Sequence, residues 1–348
     1  LILKLAGSVY GAAAAQRRRW YAQNPVRQRR LQQPVISVGN LSTGGAGKTP
    51  VVGRLAELLR AEGERPAILS RGYARRHAPD GVTVVSDGTD ILVDVDHAGD
   101  EPLMLARRVA GVPVLVSVDR YLAGCLAEQR FGATVHILDD GFQHLVLARD
   151  IDLLLVDESD LSEDILPAGR LRERLGSASA AHALLVPDSS EAAIERLRDV
   201  LGVATAFVVR RSLAPPIWVQ DGMPANLAAG SPVFVVAGVA RPDRFFADVA
   251  AAGWPAAGTM SFRDHYQFSE RDVDRISSAA RAVGAAAILT TDKDAARFDA
   301  RSAVDPPIAR VPLTVSIEPS GFADWVIERL DRARAARQSP EPKGHPGA

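Results

Sequence analysis

An α/β fold with a mainly parallel sheet flanked by helices, followed by a second, smaller α/β unit, is what this sequence predicts. Three observations carry the prediction. Short β-branched and apolar runs alternate with amphipathic stretches from "PVISVGN" (34–40) to "AHALLVPD" (181–188). Strands alternating with helices imply a parallel sheet covered on both faces. A glycine-rich loop, "LSTGGAGKTP" (41–50), joins the first strand to the helix after it. Near residue 210 the texture turns rich in Pro, Gly and Ala, and a new strand–helix run begins at "PVFVVAG" (232–238).

Each element has its own signal. "TPVVGRLAELLRAEG" repeats its apolar residues at helical spacing, and "RPAILSRGY" is a strand ending in a loop. "DEPLMLARRVAG" and "DRYLAGCLAEQRFG" are helices around the strand "VPVLVSV"; "ATVHILDDG" and "DIDLLLVD" are strands. The second unit continues through "ERDVDRISSAARAVG", "AAAILTTDKD" and "FADWVIERLDRARAAR". The expected division is an N-terminal basic helix (1–30), a main domain (31–210), a smaller domain with linker strands (211–335) and a polar, disordered tail (336–348).

Composition narrows the function. The chain has 348 residues, 47% of them hydrophobic, enough for two modest domains with buried cores. A net charge of −1 argues against a general polyanion binder. The charge is uneven, because residues 1–56 contain Lys and Arg but no Asp or Glu. One basic surface therefore faces something anionic. The single cysteine, Cys125, cannot form an internal disulfide, and its apolar helical setting suits an inert core thiol. A reducing compartment is the simplest setting.

"LILKLAGSVYGAAAA" is too short to span a bilayer, which takes about 20 apolar residues. Its arginines follow the apolar run, the reverse of a secretory signal. Two readings remain. A membrane-surface helix would set Arg17, Arg18 and Arg19 against lipid phosphates and Trp20 and Tyr21 at headgroup level. The other is an ordinary first helix packed on a core.

The loop resembles the phosphate-binding pattern G-x-x-x-x-G-K-[ST], with Ser42 in place of the first glycine. Ser42, Thr43, Gly44, Gly45, Ala46 and Gly47 would wrap phosphate oxygens with backbone N–H groups, aided by the helix N-terminus. Lys48 would bridge phosphates and the Thr49 hydroxyl would ligate Mg²⁺. Asp139 and Asp140, ending an apolar strand in "VHILDDGFQH", suit a metal; Asp-Asp-Gly is also good turn chemistry. Asp100, with Glu101 before a helix, reads as a general base or as a helix cap. His265 in "RDHYQF" is a catalytic or a structural histidine, and Arg71 at a strand end is a phosphate contact or a surface arginine.

Taken together, "VGNLSTGGAGKTPVV", "LSRGYARR", "GDEPLMLARR", "DDGFQHLVLARD", "LPAGRLRE", "RDHYQF" and "TTDKDAARF" resemble, in order, the motifs of the tetraacyldisaccharide 4′-kinase family. The resemblance runs from about residue 35 to 298. That family's loop also lacks the first glycine. The departures are Ala46, Ala74 and Asp292, where Thr or Ser, Gly and Glu are frequent.

The resemblance implies a P-loop core and a smaller α/β domain that closes around ATP. It implies transfer of the γ-phosphoryl of ATP, with Mg²⁺, to the 4′-hydroxyl of an acylated glucosamine disaccharide 1-phosphate, giving lipid IVA. It further implies a peripheral enzyme on the cytoplasmic face of a bacterial inner membrane, beside anionic lipids. Carried over by position, Lys48, Asp100 and His265 are catalytic, with Asp100 paired to His265. Thr49, Asp139 and Asp140 serve the metal. Arg71, Gln143, His144, Arg172 and Glu173 contact substrate or phosphate. Rival readings are another P-loop small-molecule kinase or ligase, and a non-catalytic nucleotide switch. No nucleic-acid or protein partner is implied.

Overall fold

The computed structural model describes residues 2–44, 47–73, 75–228, 230–264, 266–298 and 304–338. The chain begins with α1 (Ile2–Gln23), β1 (Val35–Asn40), α2 (Lys48–Ala61), β2 (Pro66–Ser70) and β3 (Thr83–Ser86). There follow α3 (Val95–Ala98), α4 (Asp100–Arg108), β4 (Val114–Val116), α5 (Arg120–Phe131), β5 (Val135–Asp139) and β6 (Ile151–Leu155). Next come β7 (Ala183–Pro187), α6 (Glu191–Leu201), β8 (Ala206–Leu213), β9 (Ile217–Trp218), β10 (Val233–Ala237) and α7 (Pro242–Ala251). The last are β11 (Ala256–Ser261), α8 (Glu270–Ala282), β12 (Ala287–Thr291), α9 (Asp292–Ala295), β13 (Ile308–Val311), β14 (Leu313–Glu318) and α10 (Phe322–Gln338).

The larger sheet has the order β14-β8-β7-β6-β1-β5-β2-β4-β3. From β8 to β4 all neighbours are parallel; β3 and β14 are antiparallel edges. The smaller sheet, β11-β10-β12-β13-β9, is parallel except for β9. The central strands are buried on both faces, so they read as mainly apolar runs rather than regularly alternating ones. Ile36 and Val38 pack with α2 residues Val51, Val52 and Leu55, while Val35 faces Ala123 and Ala127 of α5. Helix ends follow local chemistry. Asp119 caps α5 by accepting from the Tyr121 and Leu122 amides, and Gly132 closes it in a left-handed turn.

The expected boundaries at 210 and 335 do not follow the sheets. β14 returns from the smaller unit to pair with β8, Leu313 opposite Leu213. α10 then buries Phe322, Val326 and Leu330 in the core of the larger sheet, with Phe207 edge-on to Phe322 at 4.9 Å. The i, i+4, i+8 spacing of those three residues puts them on one helix face, which needs a sheet to cover it. Arg334 and Arg337 fasten the helix to Glu64 (2.8 Å) and Asp150 (2.7 Å). Residues 336–338 are therefore helical, not tail, and 339–348 lie outside the described residues. Among the described residues, no helix is long and apolar enough to cross a membrane.

Candidate active site

β1 ends at Asn40, β2 at Ser70 and β5 at Asp139. These strands are parallel, and β5 lies between the other two, so all three ends share one edge of the sheet. Ligands of open parallel sheets bind at that edge.

The loop after β1 is shaped by backbone conformation. Gly44 and Gly47 have φ of 103° and 79°, and Gly47 precedes the first turn of α2. A Cβ at either would meet nothing within 4 Å, so the demand is for the left-handed conformation itself. Gly45 and Ala46 lie outside the described residues. The Thr43 amide donates to the Arg170 carbonyl (2.8 Å), and the Arg172 amide to the Leu41 carbonyl (2.7 Å). Ser42 is buried, and its carbonyl accepts from Asn40 Nδ2 at 2.7 Å. The non-glycine residue therefore fits a loop anchored by "LPAGRLRE".

Lys48 opens α2, and its Nζ lies 2.9 Å from Asn40 Oδ1 and 3.3 Å from Asp140 Oδ1. Asp140 is in the left-handed region, φ 55°. Arg172 grips its two oxygens with two 2.8 Å bonds, and donates to the Asn40 carbonyl (3.1 Å) and the Asn40 side-chain oxygen. Burial alone would raise the Asp140 carboxyl; Arg172 and Lys48 overrule it and hold the group far below the usual carboxylate range.

Asp139 has the opposite environment. Burial, with Glu101 and Asp140 nearby, pushes its carboxyl up to about 7. Ser70 Oγ donates to its Oδ2 (3.2 Å), while Oδ1 is buried with no hydrogen-bond partner among the described residues. A buried carboxylate oxygen left unpaired beside a phosphate loop fits a divalent cation. Thr49, also buried, follows Lys48 on α2. The adjacent acids thus have different partners, because one ends a strand and the other turns away from it.

Arg120 is buried nearby. Burial and the Arg71 charge bring it down to about 10, against the pull of Asp140 and Asp139. Arg71 is itself exposed. Gln143 donates from Nε2 to the Asn40 carbonyl at 3.1 Å. Burial, Arg120 and Arg149 push His144 down to about 4, so its ring is neutral at pH 7.

Asp100 does not cap a helix: Gly99 is the N-cap, and Asp100 is the first residue of α4. Its carboxylate takes a two-pronged ion pair from Arg297, Nε to Oδ1 at 2.8 Å and Nη2 to Oδ2, with each side chain 2% exposed. Arg297 follows α9 of the smaller unit and also donates to the Tyr266 carbonyl (2.9 Å). The expected partner, His265, lies outside the described residues.

The expectation for Arg18 needs correction. It engages Glu173, with Nε to Oε2 at 2.6 Å and Nη2 to Oε1 at 2.9 Å. Arg18 is correspondingly not at a lipid phosphate, and Arg17 donates to the Gln143 carbonyl at 3.1 Å. Sequence reasoning also missed Asn40, Arg120 and Arg297 as site residues. Asn40 and Arg297 stand inside motifs already singled out, but partners 132 and 197 residues away carry no local signal.

A family model for tetraacyldisaccharide-1-phosphate 4′-kinase, LpxK, matches residues 1–331. The chain belongs to that family. A tetraacyldisaccharide 4′-kinase from an Anaeromyxobacter species is 38% identical over 345 residues, covering 96% of this chain and 91% of the relative. One from Geobacter metallireducens is 39% identical over 294 residues, covering 83% and 86%. The crystal structure of "apo" form LpxK from Aquifex aeolicus in complex with ATP aligns with a TM-score of 0.73 at 30% identity, covering 93% of this chain and 96% of that one. Membership in the LpxK family therefore extends over both sheets, not the phosphate loop alone.

Proposed function

We propose that this chain transfers the γ-phosphoryl group of ATP to the 4′-hydroxyl of tetraacyldisaccharide 1-phosphate, giving lipid IVA. The observation that carries the reading is the family match over residues 1–331, with the loop, Lys48, Asp139 and Asp140 gathered at one sheet edge. In the reaction a bond forms between the 4′-oxygen and the γ-phosphorus, and the bond from that phosphorus to the β–γ bridging oxygen breaks. The hydroxyl proton goes to a base.

The loop amides and the α2 N-terminus cradle the phosphates. Lys48 exchanges its bonds to Asn40 and Asp140 for phosphate oxygens. Thr49, Asp139 and Asp140 would hold Mg²⁺, which would supply positive charge to offset that of the phosphates. Arg120 lies near Asp139 and Asp140, with Arg71 and His144 beside it, and the three serve the transferring phosphate or the substrate. A cleft between Thr43, Gly44, Leu155, Asp157, Pro187 and Arg244 lies beside the loop, and suits the nucleoside. Asp100 is the base, aimed by Arg297, and the family resemblance makes His265 its partner. Positioning and charge neutralisation dominate such a transfer.

The lipid substrate suggests where the protein works. Ile2, Leu5, Val9 and Trp20 are exposed on α1 and fall on one side of a 3.6-residue repeat. We assign that side to the cytoplasmic surface of the inner membrane, with exposed Arg19 meeting anionic headgroups.

The test uses purified protein, radiolabelled ATP, Mg²⁺ and tetraacyldisaccharide 1-phosphate in detergent micelles, with thin-layer separation. A labelled lipid that needs Mg²⁺, Lys48 and Asp100 supports the reading. Absence of labelled lipid, with ATP binding intact, defeats it.

A further inference from the structure

We propose that Arg18 is a positioning residue for the nucleotide site. Through Glu173 and Phe142 it ties the N-terminal helix to the Asp139–Asp140 turn, so that docking of α1 sets the affinity for Mg·ATP. The inference rests on the assignment of that turn to Mg·ATP.

The contacts are specific. Besides its two bonds to Glu173, Arg18 donates to the Phe142 carbonyl (2.9 Å), and its guanidinium lies 4.2 Å from the centre of the Phe142 ring. The Arg18 and Glu173 side chains are only 12% and 5% exposed. A helix whose sole task was to lie on lipid would have no reason to bury an arginine in this way, since desolvating that charge is costly unless it is paired. The planar fork also fixes orientation, which a lysine cannot do.

The grip falls on both sides of the phosphate machinery. Glu173 is the neighbour of Arg172, whose guanidinium holds Asp140 and Asn40. Phe142 is two residues past Asp140 and packs so tightly under β1 that a Cβ on Gly39 would come within 2.5 Å of its Cβ. If Arg18 lets go, both supports of the Arg172–Asp140 pair loosen together.

The rest of α1 has the matching build. Gly7 and Gly11 are buried against Ile165, and Lys4 pairs with Asp164 at 3.0 Å, so the helix lies along the segment that leads to Arg172. On a 3.6-residue repeat, Gly7, Gly11 and Arg18 share one face, and Ile2, Leu5, Val9 and Trp20 lie opposite. One side of the helix holds the site, and the other is free for a lipid surface.

The test is the affinity for Mg·ATP, measured by titration calorimetry on the full chain without lipid. Arg18→Gln and Glu173→Gln should each weaken binding roughly ten-fold or more, as loss of supporting partners around a metal site does. The double variant should lose little beyond either single one. Arg18→Lys should recover only part of the affinity. In the micelle assay, Arg18→Gln should raise the KM for ATP, whereas Leu5→Ser/Val9→Ser, on the outer face, should raise only the KM for lipid. Wild-type affinity for Mg·ATP in Arg18→Gln and Glu173→Gln, with only the lipid KM altered, overturns the proposal. Asp140→Asn, run alongside, separates the premises: unchanged Mg-dependent ATP binding there removes the site assignment itself. Should Arg18→Gln fail to fold, Arg18→Lys and Glu173→Gln decide the matter alone.

Discussion

Replacing Arg297 by Gln removes the cation that joins the smaller unit to α4. The pair it breaks is two-pronged, and both side chains are 2% exposed. Removing one partner of a buried ion pair costs about 3–5 kcal/mol, because the other charge stays desolvated. The Tyr266 carbonyl also loses a donor at 2.9 Å, worth about 1 kcal/mol. At about 2–4 °C per kcal/mol for a domain of this size, the melting temperature should drop by roughly 10–20 °C. Thermal melts of Arg297→Gln, Asp100→Asn and the double variant form a cycle. A direct contact predicts a coupling of about 2 kcal/mol between the two changes. Turnover of Arg297→Gln should fall as well, because Asp100 loses the group that aims it. A melting temperature within about 2 °C of wild type, together with additive single effects, would refute the reasoning.

Three further outcomes follow from the geometry. Gly39→Ala should destabilise the protein by about 1–3 kcal/mol and weaken Mg·ATP binding, because its Cβ would lie 2.8 Å from the Phe142 amide nitrogen; unchanged binding and stability in melts and titrations would contradict that packing. Lys48→Met should lower kcat by roughly 10²–10³-fold in the radiolabel assay while the fold persists, since charge stabilisation in the transition state is lost; near-normal turnover would count against its role. His144 is held down to about 4 against an ordinary 6.5, so the unfolded chain binds the extra proton first. Its stabilising contribution is complete above pH 6.5 and lost as pH falls towards 4, at roughly 1–3 kcal/mol. His144→Gln should flatten that part of the stability–pH curve, and an unchanged slope in denaturant titrations would refute the assignment.

Local pattern alone was enough for much of this molecule. The parallel sheet was legible because strands buried on both faces are written as short, mainly apolar runs between helical stretches. The phosphate loop was legible because its glycines, lysine and threonine are neighbours in the chain, and their joint geometry is set by a strand before and a helix after. Asp139 and Asp140 were visible for the same reason. Their division of labour was not: one is buried beside Ser70, and the other is held by Arg172, which lies 32 residues on. The return of β14 and α10 to the larger sheet was equally hidden, since an amphipathic helix declares that it has an apolar face but not which surface covers it. One of the two readings of α1 set Arg18 against lipid because the sequence shows a basic cluster, and only the folded chain brings Glu173 to meet it across 155 residues. The sequence by itself determined which elements form and where the phosphate-loop motif stands, because backbone conformation and burial pattern are local. Only the tertiary structure decided which charge pairs with which, because that depends on distances that chain order does not encode.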